Sequence, residues 1–196
     1  MYTVIGNLRS RTMRVLWLLQ EMGLEYEHHP IAPHTDAVRA HNPAGKIPVL
    51  LDGDHAFTDS VAIMTYLADK HRQFTFPAGT PKRAIQDGHT NFLLDEFDAC
   101  LWAAGRHARY LPQERRVPAV IDSLKWEFER SREHFVTRLG AGPFLMGDTM
   151  TIADIIAAHC GRWAVNAGFP VEQPEFMEYV DRIVARPAFK QALGGS

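Results

Sequence analysis

An α/β unit followed by an all-α unit is the fold class this sequence predicts. Three observations carry that prediction. Strand-like and helix-like segments alternate as far as His71. A stretch with two prolines and a glycine and no helical period, "RQFTFPAGTPKRA", comes next. Beyond it every periodic segment is helical.

The first unit reads element by element. "YTVIG" (Tyr2 to Gly6) alternates and is rich in β-formers, which predicts a short strand. From Ser10 the apolar residues Met13, Val15, Leu16, Trp17, Leu18, Leu19 and Met22 give a broad helical face, closed by Gly23. "YEHHPI" (Tyr26 to Ile31) predicts a second strand, parallel to the first because a helix joins them. A short helix around Thr35 to His41 ends at "NPAG". Val49 to Leu51 and His55 to Phe57 flank "DGD", the turn of a hairpin. "TDSVAIMTYLADKH" is a helix whose start is crowded with capping residues, Thr58, Asp59 and Ser60. The order βαβ-α-ββα is thioredoxin-like by topology, without a paired-cysteine motif.

The second unit is a helical bundle. Gln86 to Leu111 carries apolar residues at positions 93, 97, 100, 101, 104 and 108, one stripe along one helix. Pro118 opens a helix running to about Leu139, stopped by "GAGP". "TMTIADIIAAHCGRWAV" is a third, with Thr151 and Asp154 spaced as a capping box. "QPEFMEYVDRIVARPAFKQAL" gives one or two more, broken at Arg186-Pro187. The expected domains are therefore 1–74, a linker over 75–84, and a helical domain over 85–196.

Composition narrows the function. Hydrophobic residues make up 46% and charged residues 22% of the 196, enough for a substantial core. A net charge of −2 gives no general pull toward nucleic acid or anionic membrane. No apolar run is long enough to span a bilayer, and "MYTVIGNLRS" lacks the pattern of a secretory signal, so a cytoplasmic protein is expected. Cys100 and Cys160 are the two cysteines, too few and too far apart for a disulfide framework, a zinc site or a dithiol centre. Cys100 falls on the apolar stripe, where a buried thiol is inert. The histidines at 28, 29, 34, 41 and 55 have no ligand spacing, and no metal is expected.

Three positions carry the candidate chemistry. In "GKIPVLLDG" a proline stands at the mouth of a strand. Pro48 has no amide hydrogen, and a strand opening this way leaves the main chain of Ile47 free to pair with an extended peptide; a proline merely tolerated at a strand start reads the same. Ser60 stands at a helix N-terminus, where amides and dipole attract a carboxylate, and Asp59 before it suits an ammonium group; a plain cap is the alternative. Ser10 stands where the first strand yields to the first helix, flanked by Arg9 and Arg11, a setting that lowers the pKa of a neighbouring thiol; capping is the alternative there too.

In this order and spacing, "NPAGKIPVLLDG…TDS", "GDTMTIADI" and "ARPAFKQAL" resemble the cytosolic glutathione S-transferase family over nearly the whole chain. The resemblance implies that glutathione is bound as co-substrate by the thioredoxin-like domain. It implies a cis Ile47-Pro48 bond, main-chain pairing of Ile47 with the cysteinyl part, and Asp59 with Ser60 at the γ-glutamyl head. Lys46 is implied for the glycyl carboxylate. Members activate the thiol with Tyr, Ser or Cys after the first strand, and Ser10 is the best match here, with Asn7, Arg11 and Thr12 as competitors. Asp154 is implied as a folding element only.

The first helix of the second domain is expected to wall the electrophile pocket, through Trp102, Arg106 and Tyr110 with Arg109 beside them; a solvated or dimer-facing side is the alternative. The reaction expected is attack of a glutathione thiolate on a small hydrophobic or aromatic electrophile, and the resemblance implies a homodimer. Peroxidase, isomerase and ether- or halide-cleaving chemistry on the same fold, and a non-catalytic binding protein, are the other readings.

Overall fold

The computed structural model describes residues 1–194. It divides into two compact units, one of Met1–Thr75 with the C-terminal segment from Val184, the other of Phe76–Ile183.

The first unit contains β1 (Tyr2–Ile5), α1 (Thr12–Glu21), β2 (Tyr26–His29), α2 (Asp36–Arg39), β3 (Val49–Asp52), β4 (His55–Thr58) and α3 (Ser60–His71). The strands order as β2-β1-β3-β4. β1 runs parallel to β2, and the β1–β3 and β3–β4 pairs are antiparallel. This is the expected thioredoxin-like arrangement. Strand alternation sorts its core into two layers. Ile5 and Val49 pack with Val38 of α2 and with Ile31, Ile47 and Leu51. Val4 and Leu50, opposite one another in register and both wholly buried, are left for the face that carries α1 and α3.

All residues from 12 to 19 in α1 are buried, so this helix is covered on more than one side. The second cover is α9 (Pro187–Ala192). The Trp17 and Phe189 rings lie 4.7 Å apart, edge to face. Arg186 grips Glu21 with two bonds of 2.7 Å each, and Trp17 Nε1 donates to the same carboxylate at 3.0 Å. The expected helical domain over 85–196 is corrected here. Its last helix belongs to the first unit, because Phe189 and Arg186 find their apolar and ionic partners on α1.

The second unit begins earlier than expected. α4 (Pro81–Phe92) starts inside the expected 75–84 linker. Thr80 caps it, its side chain accepting Arg83 N–H at 3.3 Å, and Pro81 occupies the first turn, where no donor is needed. A π-helical turn (Leu93–Asp98), α5 (Ala99–Gly105) and a second π-helical turn (Arg106–Tyr110) continue the same rod. α6 (Val120–Leu139), α7 (Ile152–Asn166) and α8 (Pro174–Val184) complete the bundle. Phe97 sits at the centre of its core, with ring centroids of Phe128 at 4.7 Å, Phe135 at 5.6 Å and Phe176 at 5.9 Å. α7 and α8 meet closely at Gly161, where an added Cβ would stand 2.5 Å from Val180 Cγ2.

The "TIAD" element forms the expected capping box. Asp154 is wholly buried and accepts Thr151 N–H at 2.8 Å, Leu145 N–H at 2.8 Å and the Tyr179 hydroxyl at 2.8 Å. It therefore ties the start of α7 to the segment before it and to α8. Among the described residues no helix is long and apolar enough to cross a membrane.

Candidate functional site

Pairing register brings three chain segments to one end of the sheet. Val49, the first residue of β3, is paired with Ile5, the last of β1, and with Thr58, the last of β4. The segment after Ile5, the segment before Val49 and the segment after Thr58 thus leave the sheet together. They hold Gly6 to Ser10, Lys46 to Pro48, and Asp59 with Ser60. α1 and α3 both begin here, so two helix N-termini bring their free amides and positive dipole ends to the same place. That is a setting for anionic groups.

The Ile47-Pro48 bond is cis. Pro48 is buried, Ile47 half-buried and Lys46 exposed. The approach to β3 is shaped by Asn42, a residue not singled out in the sequence. Its Oδ1 accepts Ala44 N–H at 3.1 Å and its Nδ2 donates to the Lys46 carbonyl at 2.8 Å. The "NP" dipeptide in "NPAG" is the signal that marks such a turn. The backbone of His34 donates to the Gly45 carbonyl at 2.7 Å and closes the loop on itself.

Asp59 and Ser60 divide the start of α3 between them. Asp59 is the cap. One carboxylate oxygen, Oδ1, accepts Val61 N–H at 2.8 Å and Ala62 N–H at 3.0 Å. Its φ of 70° is an unusual conformation for a residue with a side chain. Ser60 is different. It is 2% exposed, and its Oγ has no hydrogen-bond partner. Leaving a buried hydroxyl unsatisfied costs about 1–3 kcal/mol, so such groups are rare and demand an explanation.

Ser10 lies two residues before α1 and is half-buried. Its Oγ accepts Thr12 N–H at 3.1 Å and lies 2.8 Å from the Asn7 carbonyl. The hydroxyl of Thr12, which is wholly buried, is also 2.8 Å away. Ser10 is thus locked into the first turn from both sides.

The other candidates gather in the second unit. Tyr110 folds back on Trp102, with ring centroids 5.4 Å apart. Arg109 lies over the Tyr110 ring at 5.3 Å. Trp102 is half-buried, and Arg106 and Tyr110 are exposed. The π-helical turn lets Tyr110 reach Trp102, since the wider turn rotates residues beyond Gly105 relative to those before it. Arg116 secures this end by donating to the carbonyls of Leu111 at 2.8 Å and Arg109 at 2.7 Å.

Cys100 is no nucleophile. Its thiol is 5% exposed, and burial together with Glu127 and Glu96 pushes its pKa up to about 11. Among the described residues no cluster of His, Cys, Asp or Glu has the grouping of a metal site.

Comparison with known proteins agrees with this architecture. The family model for the glutathione S-transferase N-terminal domain matches residues 8–75, a span that holds Ser10, Lys46, Ile47, Pro48, Asp59 and Ser60. Glutathione S-transferase F13 of Arabidopsis thaliana is 26% identical, over 93% of this chain and 90% of its own. The theta-class enzyme of Xanthomonas axonopodis pv. citri, solved with glutathione bound, superposes with a TM-score of 0.80 at 23% identity, covering 100% of this chain and 98% of that one. Ure2p5 of Phanerochaete chrysosporium, cocrystallised with 1-(S-glutathionyl)-2,4-dinitrobenzene, gives 0.83 at 23% identity, over 98% and 93%. With the motif order of the sequence and the sheet-end convergence of its residues, these matches show residues 8–75 to be similar to the glutathione S-transferase N-terminal domain and the chain as a whole to be similar in sequence and fold to glutathione S-transferases.

Proposed function

We propose that the protein is a glutathione transferase that binds glutathione at the convergent end of the sheet and presents its sulfur as thiolate to a small electrophile. The observation that carries the reading is Ser60, a buried hydroxyl lacking a partner at the tip of a helix. A carboxylate there would accept its hydrogen bond and meet the helix dipole as well. In this reading Ser60 binds the γ-glutamyl carboxylate. Asp59 keeps Oδ1 for the helix and offers Oδ2 to the γ-glutamyl ammonium. Ile47, ahead of β3, supplies main-chain N–H and C=O for the cysteinyl part, as an edge strand pairs with an extended peptide. Lys46, exposed beside it, meets the glycyl carboxylate.

The Ser10 hydroxyl donates to the sulfur, which the start of α1 also stabilises. Ser10 is not itself a nucleophile. The sulfur attacks the electrophilic carbon, a carbon–sulfur bond forms, and the leaving group departs with the bonding electrons; the thiol proton passes to solvent. Within the second unit, the Trp102 and Tyr110 rings, 5.4 Å apart, form an aromatic surface of the kind a planar electrophile stacks on, with Arg106 adding positive charge on the same rod. Support for this chemistry comes from the relatives solved with glutathione and with an aryl conjugate.

The test is calorimetry with glutathione, followed by conjugation assays with an aryl halide and peroxide reduction assays with an organic hydroperoxide. Saturable heat and aryl-halide turnover support the reading. Heat with peroxide turnover alone would reassign the reaction, and no heat at millimolar glutathione would end the transferase reading.

A further inference from the structure

We propose that Thr12 is a positioning residue that acts on the thiol through the hydroxyl of Ser10; this rests on the transferase reading above. Ser10 Oγ has two oxygen neighbours at the same distance, the Asn7 carbonyl at 2.8 Å and Thr12 Oγ1 at 2.8 Å. A serine hydroxyl carries one proton, so it cannot donate to both. A carbonyl has none to give. The contact with Asn7 is therefore donated by Ser10, and the contact between hydroxyls is donated by Thr12. Burial supports this direction. Thr12 is 0% exposed, so bulk water does not take its proton, and a buried hydroxyl donor needs an acceptor.

Ser10 Oγ then receives two hydrogen bonds, both from Thr12: one from its N–H at 3.1 Å and one from its hydroxyl. Each polarises the oxygen and makes the remaining O–H a better donor. With glutathione bound, that O–H turns from the Asn7 carbonyl to the sulfur, and a bond to an anion replaces a bond to a neutral group. The Thr12 pair keeps the oxygen in place while the proton changes acceptor. No covalent bond is made or broken at either residue.

Gly6 provides the space. Its φ is +142°, and an added Cβ would stand 2.2 Å from Thr12 Oγ1 and 3.0 Å from Ile47 Cβ. The Thr12 hydroxyl and Ile47 thus converge on one glycine, at the end of the sheet assigned to the cysteinyl part.

The test compares the pH dependence of kcat/KM for aryl-halide conjugation, and of thiolate absorbance in the glutathione complex, across variants. Thr12→Val keeps the shape and removes the hydroxyl. It should move the inflection up by about half to one pH unit, the worth of one neutral hydrogen bond, with glutathione affinity little changed. Thr12→Ser should restore the wild-type inflection. In a Ser10→Ala background Thr12→Val should add nothing further, because its path runs through Ser10. Thr12→Ala serves the same comparison if the valine variant does not fold. An unmoved inflection in the hydroxyl-free variant overturns the proposal, and so does an equal displacement in the Ser10→Ala background. A wild-type complex without thiolate near neutral pH overturns the transferase reading and this inference with it.

Discussion

Replacing Ser60 by alanine separates a ligand-binding role from a structural one, because the two predict opposite signs for stability. In the protein without glutathione the Ser60 hydroxyl is 2% exposed and unsatisfied. Its desolvation costs about 1–3 kcal/mol, which the Ser60→Ala protein no longer bears. The hydroxyl is small and leaves little cavity, and alanine also suits a first helical turn. Unfolding of Ser60→Ala by urea should therefore show equal or greater stability than wild type, by up to about 1 kcal/mol after allowance for cavity loss. Glutathione binding should move the other way. A hydrogen bond to a charged group is worth about 1.5–3 kcal/mol, or roughly ten- to hundredfold in Kd. Urea denaturation without ligand and calorimetric titration with glutathione measure the two quantities independently. A variant that is less stable by more than about 1 kcal/mol yet binds glutathione as tightly as wild type would make Ser60 a structural cap and refute the reasoning.

Other elements carry their own predictions. Asp154→Ala strands the donors of Leu145, Thr151 and Tyr179 in a buried site, so chemical denaturation should report a loss of about 3–5 kcal/mol; a loss under 1 kcal/mol would contradict the network. Asp52 accepts the Tyr66 hydroxyl at 2.6 Å and the Lys70 ammonium, and these two partners, Lys70 foremost, hold its pKa below the ordinary carboxylate value. A depressed acid stabilises the fold above its unfolded pKa of about 3.9, and that contribution fades as pH falls through the lower folded value. The Tm gap between wild type and Asp52→Asn should accordingly close as the pH drops below about 4; a gap constant with pH would refute the assignment. Cys100 and Cys160 are both buried, so a disulfide reagent should label them at the rate of unfolding, and rapid labelling of the native protein at neutral pH would contradict the packing.

What the sequence made legible was local. The strand-opening proline, the "TDS" helix start and the "TIAD" box each declare themselves within a few residues, because capping and turn chemistry act over one helical turn. The start of α4 at Pro81 was equally local, but the proline in "GTPKRA" looked like a loop signal when it was the first residue of a helix. Membership of α9 in the first unit was not legible. Its partners, Trp17 and Glu21, lie far away in the chain, and nothing within "ARPAFKQAL" names them. At the candidate site the sequence suits Ser60 to a carboxylate and Asp59 to an ammonium group, but leaves open which of them is the helix cap. The geometry distinguishes them, since Asp59 supplies the cap and thereby leaves the Ser60 hydroxyl without a partner. Gly6 and Thr12 went unnoticed as a pair because their contact depends on a backbone angle, +142°, that no residue type announces by itself.

The most direct measurement of the central claim is a pH titration of ultraviolet thiolate absorbance in the complex of the protein with glutathione. The account predicts absorbance at neutral pH, well below the value of about 8.5 for an unperturbed thiol, and its upward displacement in Ser10→Ala. Absorbance that emerges only near the free-thiol value in the wild-type complex would contradict it.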